Sequence, residues 1–126
     1  MNLGVIPGFG GTQRLARRVG QGMARELVFT GARLSAQRAK EVGLVNEVHP
    51  QAELIAKVRT VAETICQKGP VAIQQAKRAI RLGADISLTV ASELERQTFA
   101  GLFGTDDLRE GTRAFLEKRS AKFIGK

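Results

Sequence analysis

The chain has 126 residues, 43% hydrophobic and 25% charged, a balance that suits one globular domain with a modest core and excludes a low-complexity chain. Lys and Arg number 20 against 12 Asp and Glu, so the net charge is +8 and an anionic partner is favoured: nucleic acid, an acidic lipid surface or a phosphorylated ligand. Nothing in the sequence is apolar and long enough to span a bilayer or resembles a signal peptide, so a soluble, cytoplasmic chain without a membrane partner is expected.

Residues 1–11 read as an irregular or strand-then-turn lead-in, because Pro7, Gly8, Gly10 and Gly11 oppose a helix. Thr12 is a candidate N-cap for a helix through Val19, with Leu15, Ala16 and Val19 on one face. Gly20 and Gly22 should break it, and a second helix fits residues 23–29, closed by Gly31. Ser35 caps a third over residues 36–42, closed by Gly43. Residues 44–48, LVNEV, alternate and are rich in β-branched side chains, so they read as a short strand stopped by Pro50.

The remainder reads as helical. Leu54, Ile55, Val58, Val61, Ala62 and Ile65 follow the i, i+3, i+4, i+7 rule of a core-facing stripe. Gly69-Pro70 separates this helix from the next, where Pro70 suits the first turn and Ala72, Ile73, Ala76, Ala79 and Ile80 form the expected buried stripe. Gly83 ends it. Further helices are expected over residues 88–103 and 106–118, the second started by Asp106 and Asp107 at its positive end. A basic, extended tail follows from Arg119. The fold class expected is therefore mainly α with one or two short strands, divided at about residue 50. Two short strands make a poor sheet, a hint that further chain lies upstream.

Few residues suggest chemistry on their own. The turn over residues 8–11 lacks the third glycine of a dinucleotide fingerprint and the Lys-Ser/Thr of a P-loop. A glycine turn feeding a helix start still exposes N–H groups that can hold a phosphate, an oxyanion or a water; the plain alternative is a tight structural turn. Cys66, the only cysteine, lies in an apolar helical pattern and reads as a buried structural thiol, with His49 a remote base. One His, one Cys and no clustered carboxylates do not make a zinc site. Glu26, beside Leu27 and Val28, is the nearest approach to a carboxylate in an apolar setting. Residues 34–50 resemble the first half of a helix-turn-helix, but the recognition helix would have to run through Val45, Val48 and Pro50.

Three stretches together resemble a known family: NLGVIPGFGGTQRLARRVG, ARELVFTGARLSAQRAKEVGLVNEV and TDDLREGTRAFLEKRSAKF. They are similar, in order and over nearly the whole chain, to the C-terminal half of the crotonase superfamily, most of all to enoyl-CoA hydratase. The resemblance implies the helical end of a ClpP/crotonase-like spiral fold. Residues 1–49 would close the core, and residues 50–126 would form a helical region for oligomer and CoA contacts. It implies a coenzyme A thioester as substrate, with no separate cofactor, and a homo-oligomer, trimer or hexamer. In the family two glutamates handle a water that adds across the conjugated double bond, and two N–H groups hold the thioester enolate.

The resemblance places one glutamate directly before the segment Met1-Asn2-Leu3-Gly4, and the other glutamate and the oxyanion hole further upstream. This chain alone is thus expected to be inactive. Gly8 would correspond to a glycine whose N–H helps hold the water. Phe99, Phe115 and Lys118 would correspond to residues that reach acyl-CoA or enoyl-CoA on a neighbouring subunit. Each has a plain alternative: Gly8 only turns the chain, the two phenylalanines are core, and Lys118 is a surface lysine. A non-catalytic CoA-binding or assembly module is the rival function, and nucleic-acid binding a third, disfavoured because CoA itself accounts for the basic charge.

Overall fold

A computed structural model of the chain describes residues 2–126. Helices follow one another along it: α1 (Gly11–Thr30), α2 (Ala36–Glu41), α3 (Leu54–Cys66), α4 (Pro70–Gly83), α5 (Leu88–Gly101), a 3₁₀ turn (Leu102–Gly104) and α6 (Asp106–Leu116). The chain forms two compact units, Met1–Lys57 and Val58–Lys126, whose boundary falls inside α3.

In the first unit the helix starts one residue before Thr12. Gly10, at φ 73 and ψ 17, is the N-cap and no side chain caps the helix. The Gly11 N–H instead closes a turn onto the Gly8 carbonyl (2.8 Å), and the Arg14 N–H begins the helical ladder on Gly10 (2.9 Å). The expected break occurs at Gly20, whose φ of 79 and ψ of 159 interrupt α1, while Gly22 stays within the helical run. Gly31 ends α1 in the left-handed region, its N–H on the Leu27 carbonyl.

Ser35 caps α2 as expected, its Oγ accepting from the Arg38 N–H at 3.1 Å. At the other end the Gly43 N–H bonds the Lys40 carbonyl and the Leu44 N–H the Ala39 carbonyl (2.8 Å), a Schellman closure around left-handed Gly43. That closure is why the expected strand over residues 44–48 is absent. The amides of Leu44 and Val45 both turn back to Ala39, so neither can start a ladder, and no strand occurs among the described residues.

In the second unit Pro70 takes the first turn of α4, as its spacing implies. α4 packs against α5, and α5 and α6 each meet the 3₁₀ turn. A Cβ on Gly83 would stand 3.4 Å from the Ala91 Cβ, which measures how closely the two helices approach. Ser87 caps α5 and Thr105 caps α6.

Burial departs most from expectation. Every residue of α3 is exposed, including Leu54, Ile55, Val58, Val61, Ala62 and Ile65. In the α4 stripe Ala72, Ile73, Ala76 and Ile80 are exposed and Ala79 is half-buried. Among the described residues only Ala24, Ala39 and Ala114 are buried apolar side chains. The stripes have the right period, but the described residues bring no layer to cover them.

Candidate functional site

The glycine turn is built by two consecutive left-handed residues, Phe9 at φ 53 and Gly10 at φ 73. The Arg14 guanidinium folds back onto the Phe9 carbonyl. Gly11 is glycine for close packing, since a Cβ there would lie 3.0 Å from the Pro7 Cβ. Gly8 is different: its φ is outside the left-handed region and a Cβ would meet nothing within 4 Å. Local structure therefore does not require glycine at position 8.

In the second unit an open apolar cleft of about 430 Å³ lies between the start of α4, the 3₁₀ turn, α6 and the tail. Val71, Leu102, Leu108, Phe115 and Phe123 supply its apolar walls. Phe115 is 83% exposed and Phe99 63% exposed, so neither is a core residue here. Phe99 meets Phe103 edge-to-face, with centroids 5.3 Å apart, and is not a wall of the cleft. Lys118 is exposed and left-handed, at φ 53. It closes α6 as Gly43 closes α2: its N–H bonds the Phe115 carbonyl (3.2 Å) and the Arg119 N–H the Ala114 carbonyl (3.0 Å). The structure thus sets Phe115 and Lys118 within one helix ending and leaves Phe99 on α5.

Beyond that ending the tail is tied to α6. The Glu110 carboxylate accepts both Nη1 (2.6 Å) and Nη2 (2.9 Å) of Arg119, and the Lys122 N–H at 2.9 Å. Arg119 also donates Nε to Glu117. Asp107, 5% exposed, accepts from the Ile124 N–H (2.7 Å) and the Gly125 N–H (3.0 Å), and its own N–H reaches the Lys126 carbonyl. The Arg119 hydrogen bonds, helped by the Lys122 amide, lower the Glu110 carboxyl to about 2. On α5 the Arg96 guanidinium, with Gln97, likewise lowers Glu93 to about 2. Both shifts run away from neutrality, opposite to what a general acid requires.

Of three further sequence expectations, one changes and two hold. Cys66 is exposed rather than buried, because it lies on the uncovered α3. Glu26 is exposed, so its apolar neighbours do not enclose it. Residues 44–50 form no recognition helix, and His49 bonds the nearby Glu47 carboxylate at 2.8 Å. Among the described residues no group of three or more His, Cys, Asp or Glu could hold a metal ion, and no helix is long and apolar enough to cross a membrane. Of the clasp residues, the sequence marks Asp107 only as a helix-start carboxylate and assigns no role to Glu110 and Arg119. Their signal was a carboxylate pair at i, i+3 on α6 followed by arginine just past the helix end.

Comparison with known proteins agrees over the full chain. The family model for enoyl-CoA hydratase/isomerase matches residues 1–126. A crotonyl-CoA hydratase of Syntrophomonas wolfei is 44% identical over 126 residues, covering 100% of this chain and 48% of the relative. A mitochondrial enoyl-CoA hydratase of Pongo abelii is 42% identical, over 96% of this chain and 42% of the relative. The crystal structure of enoyl-CoA hydratase from Bacillus anthracis superposes with a TM-score of 0.97 at 46% identity, over 99% of this chain and 48% of that one. The chain spans about half the length of the curated relatives it matches. With a helical architecture shared with crotonase-fold enzymes and a family match from end to end, the chain belongs to the enoyl-CoA hydratase/isomerase family.

Proposed function

We propose that this chain is the C-terminal segment of an enoyl-CoA hydratase that adds water to 2-enoyl-CoA thioesters, as in fatty-acid β-oxidation. The observation that carries this reading is the unbroken match to hydratases over all 126 residues but only about half of their length. In it, Gly8 contributes its N–H to the reacting water. The open space where a Cβ would stand supports that role, since a glycine not needed for the turn is explained by the close approach of a ligand. Phe99, Phe115 and Lys118 contact coenzyme A, two rings and an ammonium offered to a ligand with an aromatic base and phosphates. Their exposure supports this, as does the left-handed backbone of Lys118, because strained residues persist where a function holds them.

The catalytic glutamates and the oxyanion hole lie on the segment preceding Met1 in this reading, and the assembled enzyme is a trimer or hexamer. The purified 126-residue chain should therefore bind butyryl-CoA, lose affinity as Lys118→Gln, and show no steady loss of the enoyl-thioester absorbance of crotonyl-CoA. Steady turnover by this chain would overturn the assignment of the catalytic groups. Absence of any CoA affinity would overturn the CoA contacts. The second reading, a non-catalytic CoA-binding or assembly module, draws on the uncovered apolar faces of α3 and α4. An intact mass of 13.6 kDa for the protein from its native source would favour it, and a larger mass the hydratase.

A further inference from the structure

We propose that residues 120–126 form a strap latched by the charge of Glu110, and that neutralising Glu110 releases it and withdraws Phe123 from a groove between Gly69 and Gly111. The geometry of the groove shows what the strap covers. A Cβ on Gly111 would stand 3.3 Å from Cε1 of Phe123, and one on Gly69 would stand 3.6 Å from its Cδ1. Both glycines therefore let the ring lie against backbone. At the end of the strap Gly125 lies over Pro70, where a Cβ would be 3.3 Å from the proline Cγ.

Hydrogen bonds hold the strap along its length. Lys122 and Ile124, two residues apart, turn their N–H groups to the same side of the extended chain, toward α6. Glu110 takes the first and Asp107 the second, together with Gly125. Glu110 also takes both terminal nitrogens of the guanidinium of Arg119, the residue that leads into the strap, while Glu117 takes its Nε. The Glu110 Oε1 accepts from both Arg119 and Lys122, and its Oε2 from Arg119. An amide has one accepting oxygen instead of two, and a protonated carboxyl turns one oxygen into a donor and loses its charge, so the set of three bonds is broken in the first and weakened in the second.

The charged groups around this carboxylate are Arg119 and Arg113, Glu117 through its shared hold on Arg119, and Asp106, Asp107 and Lys122 in the same open polar cleft. The neighbouring apolar cleft adds Gly69, Val71 and Ala72 at the start of α4, and Leu102 and Thr105, none of which titrates; Asp107 is the carboxylate shared by both clefts. Glu110 is the one group among these that binds both Arg119 and the Lys122 amide, so its charge joins the start of the strap to α6. Its lowered carboxyl gives the sign: the latch is closed above the ordinary value of 4.5 and opens as pH falls from there toward about 2. This inference stands whether or not the protein is a hydratase.

The test is amide hydrogen exchange on the full 126-residue chain. Near pH 6 the amides of Lys122, Ile124 and Gly125 should exchange at least about tenfold slower than in an unstructured peptide. In Glu110→Gln that protection should fall about tenfold while amides inside α4 and α6 keep theirs. Glu93→Gln, which removes the other arginine-bound carboxylate, should leave the strap protected. In the unmodified chain, lowering the pH should reproduce the Glu110→Gln pattern. Unprotected strap amides at pH 6, or a strap still protected in Glu110→Gln, would overturn the proposal. Loss of α4 and α6 protection together with the strap would overturn it too, because Glu110 would then hold the whole unit.

Discussion

Lys118 and Phe9 are the two non-glycine residues with positive φ among those described; the family resemblance singles out Lys118, and Phe9 follows Gly8, which it also singles out. A left-handed L-residue costs roughly 1–2 kcal/mol, part of which glycine would recover against its larger unfolded-state entropy. Lys118→Gly should therefore raise stability by about 0.5–1 kcal/mol in thermal unfolding, and under the proposed function it should also weaken CoA binding in a titration. Opposite signs in the two readouts separate a functional lysine from a poor helix cap. Gly8 and Gly10 make a second contrast. Gly10→Ala forces alanine to φ 73 and should cost about 1 kcal/mol, whereas Gly8→Ala should stay within about 0.5 kcal/mol in urea unfolding.

Caps and latches set stability at the level of the helix. Thr105 accepts from the Leu108 N–H at 3.1 Å and donates to the Leu102 carbonyl at 2.8 Å, joining α6 to the 3₁₀ turn. Thr105→Ala should lower the urea midpoint by an amount equivalent to about 1 kcal/mol. Glu93 and Glu110 are both drawn down to about 2, first by hydrogen bonds from Arg96 and Arg119 respectively. A carboxylate with a depressed folded value stabilises fully above its ordinary 4.5 and loses that contribution as pH falls toward 2. The melting temperature should accordingly drop across this window, and Glu110→Gln should flatten the drop. Both pairs are solvent-accessible, so added salt should shrink the effect.

The chain as a whole exposes 10287 Å². A folded monomer of this mass would expose roughly 6,600 Å², and even two separate globules of the units' sizes only roughly 8,000 Å². Large hydrophobic side chains contribute to it: Leu88, Leu116 and Ile80 join Phe115 and the α3 stripe as exposed. Surfaces of this kind mark contacts with other protein. The isolated chain should sediment above 13.6 kDa at high concentration, and a clean monomer would count against this. Val61→Asp should change stability by less than about 0.5 kcal/mol in a monomeric state, where Val61 is exposed, yet reduce self-association.

The helices were legible from sequence because their signals are local. Apolar periodicity, Ser35, Pro70, Gly31 and Gly43 act within one or two turns of where they stand, and the resemblance of residues 2–20, 24–48 and 105–123 carried the family. The strand over residues 44–48 was misread because its alternation is equally local, while the closure of α2 by the Leu44 and Val45 amides is a hydrogen-bond choice that pattern does not encode. Burial was misread for a different reason: an amphipathic stripe states which face seeks cover, not whether cover is present. Only the tertiary structure decided that α3 is bare, that Phe99 and Phe115 face solvent, and that Asp107 and Glu110 hold the tail. Those outcomes depend on which groups meet across 9 to 18 residues of chain, where partner choice is set by packing and by the need to satisfy each backbone amide.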